Sequence, residues 1–141
     1  MKQAWCDSSF DYHKKVAGFG IIIQDGEKQR TYSNWLPAPD NNYAEIFAIY
    51  ETAILLGGQG IIYTDSQIAL NYINKEIKNR PRNKTQYINH KRMEFIAYKI
   101  RKLGVSVCKI KAHQHKVQTH ALGNNMADLL ARNGRAKYYE S

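Results

Sequence analysis

"GIIYTDSQIAL", residues 60–70, begins with three apolar residues, Ile61, Ile62 and Tyr63, that read as a buried strand. Ile68, Ala69 and Leu70 resume the apolar pattern beyond a polar break, as a helix would. A short strand running directly into a helix is the unit from which parallel sheets are built. Asp65 stands at the junction, at the mouth of the core. A carboxylate there costs free energy unless a helix N-terminus, a cation or a metal compensates it.

Upstream, "KQAWCDSSF" (2–10), "AGFGIIIQ" (17–24) and "QRTYSNWL" (29–36) read as three strands, the last two joined by a turn at "GEK". Pro37 and Pro39 stop the third. The clearest helix is "NNYAEIFAIYETAILLGG" (41–58), with Ile46, Ile49, Tyr50, Ala53 and Ile54 forming its apolar stripe and Gly57 and Gly58 ending it. Downstream, "SQIALNYINKE" (66–76) reads as a helix and "NRPRNKTQ" (79–86) as a loop. "YINHKRMEFIAYKIRKL" (87–103) reads as a helix closed by Gly104, and "VSVCKIKA" (105–112) as a fifth strand. "HQHKVQTHALG" (113–123) is predicted as a loop and "NNMADLLARNGRAKYY" (124–139) as the last helix. The order βββαβααβα predicts an α/β domain over residues 1–141. Its five-stranded mixed sheet starts antiparallel, ends parallel and is flanked by helices.

Composition narrows the function. A hydrophobic content of 43% with 23% charged residues suits a globular chain, and no apolar run approaches the roughly 20 residues that span a membrane. Residues 1–10 carry Lys2 and Asp7 and no long apolar stretch, so no signal peptide is expected. Two cysteines, Cys6 and Cys108, are too few for a disulfide framework and point to a reducing, cytoplasmic setting. The net charge of +9 is concentrated: residues 75–102 hold ten basic and two acidic residues, whereas the rest is close to neutral. A solvated helix face explains one basic run. Nearly all the excess in one segment, interleaved with Tyr72, Tyr87, Phe95 and Tyr98, fits a nucleic-acid footprint better.

Four acids stand out, each with a structural alternative. Asp65 can cap the helix that follows it. Glu45 stands three residues after Asn42, and Asp128 three after Asn125, the spacing of a capping box. Asp7 can simply end the first strand. Together they suggest more. Ligand sites in open α/β sheets lie beyond the carboxyl ends of parallel strands. Asp7 and Asp65 belong there if strands one and four are parallel neighbours, and Glu45 and Asp128 fall in the first turns of their helices. Four converging carboxylates require cations. An all-oxygen donor set favours Mg2+ or Mn2+, and two such ions about 4 Å apart can hydrolyse a phosphodiester.

The stretches "WCDSSF", "NNYAEIFAIYETA", "IYTDSQIALNYI" and "KIKAHQ…GNNMADLLAR", in this order, resemble type 1 ribonuclease H over nearly the whole chain. The resemblance implies an endonuclease that cuts the RNA strand of an RNA–DNA hybrid with Mg2+, leaving 5′-phosphate and 3′-hydroxyl ends; a monomer is expected. Asp7, Glu45, Asp65 and Asp128 match the family's metal-binding catalytic carboxylates. His113 resembles its histidine for proton transfer or product departure. Asn41, Asn42 and Gln67 match contacts in the hybrid's minor groove, where 2′-hydroxyls mark RNA. Asn124 matches the asparagine of the family's "GN". The segment 75–102, with Lys84, Lys91 and Arg92, resembles the basic protrusion that grips the DNA strand, here without tryptophan. Ser8 stands where the family usually has Gly, and Asp40 where a phosphate-contacting Thr is common. The first strand begins almost at Met1, so the family's additional hybrid-binding domain is not expected.

Other readings are weaker. Cys108, His113, His115 and His120 are spaced closely enough to suggest zinc, but Cys108 and His113 point to opposite faces of an extended strand and the other histidines fall on a polar loop. With the family's strand order, the fourth strand separates Cys6 from Cys108 beyond disulfide reach. A DNA-cutting enzyme of resolvase or integrase type is disfavoured by "NN" before Glu45, by Gln67 and by the basic insertion. A non-catalytic nucleic-acid-binding module gains nothing from carboxylates clustered near phosphate.

Overall fold

The computed structural model describes residues 2–77, 80–110 and 118–141. Strands β1 (Lys2–Asp11), β2 (Val16–Asp25) and β3 (Lys28–Pro37) form an antiparallel meander. Helix α1 (Asn41–Leu56) then crosses to β4 (Ile61–Thr64), which pairs parallel to β1 from Gln3↔Ile61 to Trp5↔Tyr63. Helices α2 (Gln67–Ile73) and α3 (Lys84–Leu103) lead to β5 (Ser106–Lys109), parallel to β4, and α4 (Gln118–Glu140) follows. The sheet order is β3-β2-β1-β4-β5, the mixed sheet expected from the sequence.

Alternation along β1 divides the interior. Ala4 and Cys6 join α1 and α3 in the larger core with Ile21, Ile46, Ile62 and Ile100. Trp5 faces the other way, onto Ile22, Ile110 and Ala127 of α4. β2 is buried from Val16 to Ile23 because both its faces are covered, which explains its unbroken apolar run. α4 lies against β2 with almost no side chain between them. A Cβ on Gly20 would sit 2.4 Å from the Ala127 carbonyl oxygen.

Several element boundaries differ from expectation. α4 starts at Gln118, six residues before the predicted Asn124. Gly123 reads as a helix breaker in the sequence, yet it is inside the helix, where a Cβ would meet the Trp5 indole at 2.4 Å. Asp128 is therefore ten residues into α4 rather than in its first turn, Asn125 caps nothing, and His120 is helical rather than on a loop. Asp40, not Asn42, caps α1 by accepting from the Tyr43 N–H. Glu45 consequently falls in the second turn, with no capping-box role. Ser66, not Asp65, caps α2 by accepting from the Ala69 N–H, and α2 is four residues shorter than expected. Asn83 caps α3, which begins at Lys84, inside the predicted loop. Asp7 is within β1 and does not end it. Ile54 of the predicted apolar stripe is 46% exposed, while Ala44, Ala48, Thr52 and Leu56 complete the buried face.

Cys6 is buried and Cys108 exposed, both are free, and β4 separates their strands. Among the described residues no helix is long and apolar enough to cross a membrane.

Candidate active site

β1 outruns β4. Their last pair is Trp5↔Tyr63, so Asp7 projects past the end of the parallel ladder, and Asp65 directly follows β4 at the same end. Glu45, buried on α1, reaches them from one side. One carboxylate oxygen from each of Asp7, Glu45 and Asp65 lies within 4.8 Å of the others. Asp7 is only 8% exposed and Glu45 only 7%.

Such crowding is unfavourable for three anions. Burial, then the Asp65 charge, pushes the Asp7 carboxyl up to about 7, against the pull of the Ser8 N–H. Burial, then the Asp7 charge, holds Glu45 well above the usual carboxylate range. A divalent cation held by Asp7, Glu45 and Asp65 would offset that repulsion and let all three ionise. The all-oxygen donor set fits Mg2+ or Mn2+, with no cysteine or histidine in the group.

Asp128 is not part of this triad. Its Oδ2 is 2.9 Å from Arg132 Nη2, one helical turn on, yet its charge still contributes to raising Asp7. The arginine is the partner that sequence reading missed, although the i,i+4 spacing signals it. On the other side, the Ser8 hydroxyl donates to Glu45 Oε1 at 2.6 Å and also reaches Asn41 Oδ1 at 3.1 Å. Ser8 is legible in the sequence only as a departure from glycine, not as a contact.

The remaining predicted site residues are spread around the cluster. Asn42 lines a cleft with Asp40, Asn71, Arg80, Arg82 and His90, so part of the basic segment folds back beside the start of α1. Gln67 is exposed and donates to Asn71 Oδ1 at 2.8 Å. Asn124 is only 2% exposed, one turn before Asp128. His113 and His115 lie outside the described residues. His120 accepts the Trp5 indole N–H at Nδ1, 3.2 Å, and packs on Tyr63 with ring centroids 4.3 Å apart. It is a packed residue rather than the surface histidine expected.

Lys84, Lys91 and Arg92 are exposed along α3, beside the exposed rings of Tyr87, Phe95 and Tyr98. Cations and rings pair up: Lys91 over Tyr87, Lys102 over Tyr98 and Arg92 over Tyr43 of α1 at 4.4 Å. Arg92 beside Tyr43 and Lys99 beside Tyr50 show that α1 and α3 run parallel. The start of α3 therefore lies at the end of the molecule that carries the acidic triad.

A sheet of order β3-β2-β1-β4-β5 with carboxylates gathered past its β1–β4 pair defines the ribonuclease H-like class of α/β folds. The chain belongs to the RNase H family, whose model matches residues 2–136. Solved structures agree on the fold. RNase H1 from the halophilic archaeon Halobacterium salinarum NRC-1 superposes with a TM-score of 0.73 at 14% identity, covering 96% of this chain and 98% of that one. The N-terminal RNase H domain of a Mycobacterium tuberculosis protein, solved fused to maltose-binding protein, gives 0.69 at 14% identity over 99% and 96%. LC11-RNase H1, solved in complex with an RNA/DNA hybrid, gives 0.69 at 15% identity over 99% of both chains. No curated protein matches the chain by sequence.

Proposed function

We propose that the protein is an endonuclease hydrolysing the RNA strand of RNA–DNA hybrids by a two-metal-ion mechanism, leaving 5′-phosphate and 3′-hydroxyl ends. The observation that carries this reading is the convergence of Asp7, Glu45 and Asp65 within 4.8 Å in a chain of the RNase H family. The hybrid in the LC11-RNase H1 structure supports the choice of substrate. Asp7, Glu45 and Asp65 hold the cations, Mg2+ or Mn2+, and Asp128 closes the α4 side. When bound, two such ions supply an activated water and a positive field over the leaving oxygen. Asn41, Asn42 and Gln67 contact the minor groove, where the 2′-hydroxyl tells RNA from DNA, and Asn124 completes the substrate-binding set. His113 moves a proton or aids product departure. Lys84, Lys91 and Arg92 bind phosphates of the DNA strand, which sets register without reading sequence. The chain acts as a single catalytic domain and a monomer, and two free cysteines fit a cytoplasmic setting.

A panel of labelled hybrid, RNA duplex and DNA duplex, each with and without Mg2+, tests the reading. Cleavage of the hybrid's RNA strand alone, and only with metal, is the expected result. Cutting of the DNA duplex would favour a resolvase-like enzyme. Binding without cleavage would favour a non-catalytic module.

A further inference from the structure

Ser8 follows Asp7 on β1 but faces the other way. Ala4 and Cys6 point into the core beneath α1 and Trp5 toward α4, so alternation puts Ser8 on the α1 side. There its hydroxyl donates to Glu45 Oε1 at 2.6 Å and lies 3.1 Å from Asn41 Oδ1. Asn41 and Glu45 are four residues apart on α1, on one face, so a single hydroxyl from the sheet spans both. Turned about its last torsion, the Asn41 amide would donate to Ser8 Oγ instead, and the link between the three side chains would persist. Ser8 also donates its backbone N–H to Asp7 Oδ1 at 2.9 Å, so this residue touches two of the three clustered carboxylates.

We propose that Ser8 is a positioning residue: its hydroxyl holds the Glu45 carboxylate in the orientation that ligates a divalent cation, and ties it to the substrate-reading Asn41. The inference rests on the function proposed above. A buried carboxylate with free rotation about its last torsion must be ordered when the cation arrives, whereas one already held by a hydrogen bond need not be. Partners that orient metal ligands typically change metal affinity or activity by about 10–100-fold when removed. Glycine, the residue usual at this position in the family that the sequence resembles, has no side chain to make either contact. In this chain, restoring glycine should therefore impair the site.

The test uses the full chain with Ser8→Ala, Ser8→Gly and Ser8→Thr, and three measurements. These are Mn2+ binding by calorimetry without nucleic acid, steady-state hybrid cleavage, and thermal unfolding in EDTA. Ser8→Ala and Ser8→Gly should weaken Mn2+ binding roughly 10-fold and lower kcat by a similar factor. KM should also rise several-fold as Asn41 loses its tie. Ser8→Thr keeps the hydroxyl and should return both quantities to within about 3-fold of the wild type. Wild-type Mn2+ affinity in Ser8→Ala would overturn the proposal. So would a loss that Ser8→Thr fails to restore, since that would mark a packing effect. The two readings fail separately. A wild type that cuts no hybrid removes the proposed function, while the Mn2+ titration still reports on Ser8. A wild type that cuts normally alongside an unaffected Ser8→Ala removes only the role of Ser8.

Discussion

The molecule carries charge in two opposite ways. Past the ends of β1 and β4, three carboxylates crowd within 4.8 Å, two of them buried. Along α3, Lys84, Lys91, Arg92 and Lys102 are spread over an exposed surface. Burial strengthens every interaction in the first region, so each carboxylate there has a large individual effect. Exposure weakens each cation in the second, where water and salt screen it and only the sum counts. The proposed function assigns chemistry to the crowded end and substrate capture to the dispersed face. The contrast predicts a graded series of effects.

The largest effect is expected at Asp7, the carboxylate that Asp65, Glu45 and Asp128 all act upon. Asp7→Asn barely alters shape but should cut hybrid cleavage about 10³-fold or more, a loss of about 4 kcal/mol in transition-state stabilisation. Stability without metal should move the other way. The folded Asp7 carboxyl titrates at about 7 against an ordinary value of 3.8, so the folded state holds a proton that the unfolded chain releases between those limits. Its contribution is present below about pH 4 and is lost as pH rises toward 7. In EDTA, the melting temperature of the wild type relative to Asp7→Asn should therefore fall from about pH 4 to pH 7 and level off above. A wild-type melting temperature that holds or rises relative to Asp7→Asn over that window would contradict the raised pKa.

A middle effect is expected at His113. General acid–base assistance contributes about 10²-fold, so His113→Ala should slow turnover while leaving measurable activity. His120→Ala should instead lower the melting temperature, because it removes the acceptor of the Trp5 indole and a ring packed on Tyr63. A larger cleavage loss at His120 than at His113 would show that the two roles are exchanged.

The smallest effect on chemistry is expected on α3. Reversing Lys84, Lys91 and Arg92 to Glu should raise KM with a lesser change in kcat. The salt dependence of binding should flatten by about 0.7–0.9 for each phosphate that the variant no longer neutralises. An unchanged KM and salt slope would show that this face is only solvated.

Much of this contrast is legible in the sequence, for identifiable reasons. Apolar runs and turn residues locate all five strands, and the switch from meander to strand–helix units predicts where antiparallel pairing gives way to parallel. That switch places Asp7 and Asp65 at one end, and three of the four singled-out acids do converge. What escapes reading depends on packing between segments distant in the chain. Gly123 looks like a helix stop because the Trp5 ring that demands it is contributed by β1. The early start of α4 moves Asp128 out of a first turn and into a pair with Arg132. Caps shift by one or two residues at α1 and α2, where Asp40 and Ser66 outcompete Asn42 and Asp65. Ser8 is invisible as a contact because its partners are more than thirty residues away on another element.

The central claim is that Asp65 belongs to a metal site rather than to the helix it precedes. The direct test measures hybrid cleavage in Mg2+ and thermal unfolding in EDTA on one preparation of Asp65→Asn. A metal ligand predicts cleavage reduced about 10³-fold or more, with stability unchanged or higher because one of three crowded anions is gone. Near-normal cleavage would remove Asp65 from the active site and the two-metal mechanism with it.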